Sequence, residues 1–141
     1  MGKPTILVNL NRCTGCWTCS MACKAGNALE VDTYRQYIKT IGGGDIDVPG
    51  GVWPNLYMKW MPIYTKECTL CGSRTAEGEL PFCVGNCPTA ALTYGDIDDP
   101  YGPVSIRKAE LGDSGFNFFK NRQWENTRDG IIYAEKERGR Q

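Results

Sequence analysis

Eight cysteines carry the chemistry legible in this 141-residue chain, and they fall in two tight groups. The first, Cys13, Cys16, Cys19 and Cys23, is a C-x2-C-x2-C-x3-C run. The second is Cys68, Cys71, Cys83 and Cys87, followed at once by Pro88. Thiolates two residues apart can wrap one face of a compact iron–sulfur cluster, each reaching a different iron. The fourth cysteine is carried away from that face as the chain turns helical, and where two such runs occur together it ligates the other cluster. The spacing therefore predicts two [4Fe–4S] clusters with crossed ligation. Cys13, Cys16, Cys19 and Cys87 are expected on one, and Cys68, Cys71, Cys83 and Cys23 on the other.

Two other uses of eight cysteines fit less well. Disulfide scaffolds spread their cysteines along the chain, and a C-x2-C bridge is geometrically poor. A zinc ribbon needs four ligands, and the triple C-x2-C-x2-C crowds too many thiolates around one tetrahedral ion. With no histidine in the chain, histidine-ligated zinc, Rieske-type clusters, histidine-ligated haem and Ser-His catalysis are excluded. Sixteen basic and sixteen acidic side chains cancel, which argues against nucleic-acid binding through bulk positive charge. No segment approaches the ~20 apolar residues of a membrane helix, and the start, MGKPTILVNLNR, lacks the apolar run of a signal peptide. The expectation is a chain without direct membrane insertion, cytoplasmic or exported bound to a signal-bearing partner.

The elements that must position the cysteines can be read around them. Thr5–Asn9 is a short β-like run into the first loop, where Gly15 lets the backbone turn close to a cluster and aim amide N–H groups at sulfur. Cys19 to Leu29 suits a short helix. Trp17, inside the loop, reads equally as a shield against water and as an ordinary core aromatic. Tyr34–Ile41 and Leu56–Ile63 read as strands separated by a Gly/Pro-punctuated loop or hairpin, an insertion over residues 30–64. Cys71 to Cys83 reads as a polar surface excursion, Pro88–Leu92 as a helical turn, and Leu92–Gly95 as a returning strand. Arg12, Lys24 and Lys66 adjoin ligand cysteines and read chiefly as solvated surface. Asp96, Asp98 and Asp99 read as a turn, since the spaced ligands of a calcium loop are missing.

Cluster loop, short helix and strand thus occur twice. Two such halves make an α+β fold, a ferredoxin-like two-cluster core with a pseudo-twofold repeat. Residues 1–101 are expected to form that domain. Residues 102–141 are expected to form a docking arm, with a helix over Ser105–Leu111 and a strand over Ile131–Ala134. Its anchors would be Phe116, Phe118, Phe119, Trp124, Ile131, Ile132 and Tyr133.

The second group is more specific than a generic cluster motif. Cys68-Thr-Leu-Cys71, Arg74, Gly78, Pro81, Cys83-Val84, Cys87-Pro88, Ala91-Leu92 and Gly95-Asp-Ile-Asp-Asp-Pro100 resemble the last cluster motif of the dimethyl sulfoxide reductase type of iron–sulfur electron-transfer subunit. Asn11-Arg12-Cys13 through Ala22-Cys23-Lys24 resembles the family's first motif, and Gly51–Pro62 the segment leading to its second. Longer relatives carry four clusters. The groups present here resemble the first and last, which pair with each other, so the chain resembles abbreviated two-cluster members. The resemblance implies a non-catalytic subunit that passes single electrons to or from a large molybdopterin or tungstopterin catalytic partner. The alternatives are a freestanding two-cluster ferredoxin serving several redox enzymes and a zinc-stabilised interaction module.

Overall fold

The computed structural model describes residues 4–42, 44, 48–120 and 130–136. Its frame is a four-stranded sheet of β1 (Pro4–Asn9), β6 (Leu92–Asp96), β7 (Asn117–Phe119) and β8 (Ile131–Glu135), in the order β6-β1-β8-β7. β1 pairs antiparallel with β6 and parallel with β8, and β7 closes antiparallel on β8. A two-stranded ribbon pairs β2 (Gln36–Ile41) with β5 (Lys59–Tyr64), and a small hairpin pairs β3 (Gly50–Val52) with β4 (Asn55–Tyr57). The helices are α1 (Thr18–Gly26), α2 (Gly72–Thr75), α3 (Phe82–Asn86) and α4 (Pro103–Asp113). The fold is α+β.

Strand alternation divides the sheet between two cores. Ile6 and Val8 of β1 and Ile131 and Tyr133 of β8 face a core that holds Cys19, Cys68 and Cys83 together with Ile38, Met61, Ile63, Tyr64 and Leu70. The intervening Leu7, Ile132 and Ala134 face the other way and pack under Val104 and Leu111 of α4. The Tyr133 hydroxyl donates to the Pro62 carbonyl at 2.6 Å and so ties the sheet to the ribbon.

The pairing is nested. β1 leads through the first cysteine loop and α1 to β2, and β5 leads through the second loop and α3 to β6. β1 then pairs with β6, β2 with β5, and α1 packs on α3. The helices approach so closely that a Cβ on Gly26 would lie 2.5 Å from the Phe82 ring.

Three expectations need correction. The helix of the second half lies before Cys87, at Phe82–Asn86, and Pro88 begins only a turn. A residue preceding proline is driven out of the helical region, and Cys87 is indeed extended (φ −70°, ψ 116°). The excursion between Cys71 and Cys83 contains a short helix, α2. Finally, residues from 102 onward do not stand apart as an arm. β8 lies inside the sheet with Ile131, Ile132, Tyr133 and Ala134 at most 7% exposed, so a boundary at 101/102 would cut through one sheet. The reason is that Ile-Ile-Tyr-Ala is apolar on both faces, as a strand covered on both sides must be. Phe116 and Phe118 pack against the α4 core, Phe119 stacks on Tyr133 with ring centroids 5.5 Å apart, and Trp124 lies outside the described residues.

Candidate metal centre

The structure mixes the two cysteine runs. Cys13, Cys16 and Cys19 line one recess together with Cys87 of the other run, and Trp17, Ile38, Pro62 and Leu92 wall it. Counting its open mouth, the recess holds about 330 Å³. Cys23, from the first run, is instead within electrostatic reach of Cys68 and Cys71. Cys83 feels Cys19 first, then Cys68 and Cys71. Among the described residues no three cysteine or carboxylate side chains converge on one point as ligands of a single ion do. All eight cysteines are free thiols.

Each loop turns its backbone toward its own sulfurs. The Gly15 amide donates to Cys13, and at the matching place in the second loop the Leu70 amide donates to Cys68 at 3.4 Å. Four residues past the last cysteine of each run the pattern repeats. Asn27 Nδ2 reaches Cys23 Sγ at 3.6 Å, and the Ala91 amide reaches Cys87 Sγ at 3.4 Å. Left-handed backbone accompanies these turns, at Gly15 (φ 69°), Trp17 (63°), Leu70 (54°), Cys71 (51°) and Ala90 (53°). Conformations of this kind cost of order 1–3 kcal/mol and concentrate where a site demands them.

The thiols differ in their electrostatics. Burial pushes Cys19 up to about 12, with the neighbouring Cys13 adding to it. Burial likewise raises Cys13 against its Gly15 hydrogen bond, and raises Cys23 against the Arg35 charge and Asn27. Cys83 is raised further, chiefly by burial, although the Tyr64 hydroxyl favours its thiolate. Cys16 is the exception. Hydroxyl and amide hydrogen bonds from Thr18, with help from Thr14, hold it below the ordinary thiol value at the exposed lip of the recess. Thiolate is the form that binds metal, so buried neutral thiols would release protons on taking up a metal.

The donor set is all thiol: Cys13, Cys16, Cys19 and Cys87 share the recess, and Cys23 and Cys83 each feel Cys68 and Cys71. Backbone amides already point at sulfur. The structure also holds one buried polar side chain without a partner among the described residues, Gln36, whose amide N and O are both unpaired. These features fit an iron–sulfur cluster, which brings sulfur acceptors of its own.

Of the neighbouring residues singled out in the sequence, Trp17 lines the recess, half-buried, with its ring edge-on to Tyr34. Arg12 and Lys66 are exposed. Lys24 turns its ammonium to the Val31 and Thr33 carbonyls and over the Tyr34 ring, 3.8 Å from its centroid. Asp96 and Asp99 accept backbone N–H bonds from Asp98 and Tyr101, at 2.9 and 3.0 Å, as turn residues do. Sequence reasoning missed Asn27, Arg35, Gln36 and Tyr64. Asn27 was within reach, one helical turn beyond Cys23. The other three depend on the β2–β5 register.

No family model matches the chain. Among individual proteins, it is 31% identical over 113 residues to a subunit of the sulfite dehydrogenase of Allochromatium vinosum, covering 76% of this chain and 35% of that protein. It is 26% identical over 149 residues to a subunit of the anaerobic dimethyl sulfoxide reductase of Escherichia coli, covering 65% of this chain and 73% of the relative. It is 28% identical over 120 residues to the arsenate respiratory reductase iron–sulfur subunit of a Shewanella species, covering 70% and 51%. The chain thus spans about a third of the first relative and about half of the last. The relatives are named as parts of a dehydrogenase and of two reductases, and the last is named outright for its iron and sulfur. This protein belongs to the dimethyl sulfoxide reductase-type family of iron–sulfur subunits.

Proposed function

We propose that this chain is a non-catalytic electron-transfer subunit that holds two [4Fe–4S] clusters in a ferredoxin-like core and serves a large molybdopterin or tungstopterin catalytic subunit. Cys13, Cys16, Cys19 and Cys87 would hold one cluster, and Cys23, Cys68, Cys71 and Cys83 the other. The observation that carries this reading is the recess lined by three cysteines of the first run and the last cysteine of the second. The nested β1–β6 and β2–β5 pairing, with α1 on α3, supports the two-fold plan.

When bound, the clusters supply one-electron redox chemistry. The chain's own residues do the rest. Thiolates fix the irons, and the Gly15, Leu70 and Ala91 amides stabilise negative charge on sulfur. Trp17, Ile38, Pro62 and Leu92 keep water from one wall of the first recess. Among the described residues no helix is long and apolar enough to cross a membrane. A freestanding ferredoxin is the second reading, and the family's association with multi-subunit reductases favours the first.

Anaerobic co-purification from the source cell tests both parts. One large subunit should come down with the chain, and the complex should contain molybdenum or tungsten. The chain itself should carry about eight iron and eight acid-labile sulfide, as two four-iron clusters require. Zinc in place of iron refutes the cluster reading. Recovery of the chain alone, with both clusters, supports the ferredoxin instead.

A further inference from the structure

The β2–β5 ribbon lies across both cysteine groups, and it treats them differently. Residues directly opposite each other in an antiparallel pair project from the same face. Ile38 is opposite Pro62, and both line the recess of Cys13, Cys16, Cys19 and Cys87. Two residues along the same face, Gln36 is opposite Tyr64. There the ribbon is polar and fully buried, with Gln36 2% and Tyr64 1% exposed. The Tyr64 hydroxyl donates to Cys83 Sγ at 3.6 Å. Gln36 adjoins Arg35, whose charge bears on Cys23, and its carbonyl accepts from Ser20, which lies between Cys19 and Cys23 on α1. Its side-chain amide has no partner among the described residues. A buried amide left unpaired bears its full desolvation penalty. Leucine or methionine would fill the same space without that cost, so the amide calls for an acceptor that a cluster would supply.

We propose that Tyr64 and Gln36 are a tuning pair for the second cluster. The tyrosine hydroxyl bonds the Cys83 thiolate, the Gln36 amide bonds the cluster held beside it, and together they raise that cluster's potential selectively. The proposal rests on the two-cluster reading above. A donor aimed at sulfur stabilises the reduced, more negative state more than the oxidised one, which raises the potential. In the lining of the first recess the ribbon supplies Ile38 and Pro62, neither of which has a side-chain donor. The ribbon therefore separates the two potentials and helps decide where an entering electron resides.

The test is an electron-paramagnetic-resonance redox titration of the intact, cluster-loaded protein and of its variants. In Tyr64→Phe and Gln36→Leu the same one of the two midpoint potentials should fall, and it should fall further in the double variant, with iron and sulfide content unchanged. Tyr133→Phe is the matched control, because its hydroxyl goes to the Pro62 carbonyl rather than to sulfur. It should move neither potential. Replacing Tyr64 by 3-fluorotyrosine keeps the size and strengthens the donor, so the same potential should rise. That variant carries the test if the phenylalanine protein loses iron. Unchanged potentials in the Tyr64 variants, equal shifts of both clusters, or opposite clusters responding to Tyr64 and Gln36 would each overturn the proposal. If the unsubstituted protein holds fewer than two four-iron clusters, the two-cluster reading itself fails, and iron content shows this before any titration begins.

Discussion

The two cysteine loops make the same bend with different residues. In Cys13-Thr-Gly-Cys16 the third position is Gly15, and in Cys68-Thr-Leu-Cys71 it is Leu70. Both have left-handed backbone, φ 69° and 54°, and both turn their amide toward the cysteine two residues before. What differs is the other side of the turn. Trp60 lies against Gly15 so closely that a Cβ there would come within 2.4 Å of its ring. Leu70 instead buries its own side chain, 3% exposed, in the core with Ile6 and Ile131. The bend is fixed by the hydrogen bond to sulfur, and the residue that makes it by what packs behind. A left-handed leucine is strained by roughly 1–2 kcal/mol, and burial of its side chain offsets that by about 1.5–3 kcal/mol.

The largest expected effect removes the frame that both loops share. Deleting residues 103–141 takes away α4, β7 and β8, and with them one side of both cores. The lost burial of Val104, Leu111 and residues 131–134, at about 1.5–3 kcal/mol for each large side chain, is as large as the ~5–15 kcal/mol that holds a domain together. No folded protein should be recovered. A soluble truncated chain with both clusters and a native circular-dichroism spectrum would show that the loops stand without β8.

Removal of iron comes next. A modest core divided by two ligand loops depends on metal for much of its stability. Anaerobic chelation should melt much of the helix and strand signal. A cooperative, native-like apo-protein would contradict this.

Gly15→Ala then breaks the first loop alone. It adds left-handed strain of about 1–2 kcal/mol and displaces Trp60 at a further cost of about 1–3 kcal/mol, together roughly 3 kcal/mol in denaturant unfolding. An effect below ~1 kcal/mol would mean that the Trp60 contact is slack.

The smallest effect is the sharpest for the comparison. In ordinary backbone, glycine is worse than alanine by about 0.5–1 kcal/mol. At position 70 the order should vanish or reverse, so that Leu70→Gly is no more destabilising than Leu70→Ala. If glycine remains the worse by its ordinary margin, the bend at Leu70 is not strained in solution.

Much of the site could be read from spacing, because thiolate ligation is a local pattern. The C-x2-C-x2-C-x3-C run and Cys87-Pro88 marked the thiols, and the structure lines one recess with Cys13, Cys16, Cys19 and Cys87. The strands at Thr5–Asn9, Tyr34–Ile41 and Ile131–Ala134 and a helix over Ser105–Leu111 were legible, and the structure extends that helix to Pro103–Asp113. Two things were not. Ile131-Ile-Tyr-Ala shows that a strand is buried on both faces, but nothing local says that it enters between β1 and β7. Gln36 and Tyr64 lie 28 positions apart, and only the ribbon's register brings them opposite each other.

The place of β8 also governs timing. Ile6 pairs with Ile131 across most of the chain, a contact of very long sequence separation that forms slowly. During synthesis at roughly 5–20 residues per second, the stretch from Cys87 to Ile131 takes about 2–9 s to emerge. All eight thiols have therefore left the ribosome several seconds before the strand that closes the sheet beside them exists. The order of the chain leaves all eight thiols without β8 beside them throughout that interval.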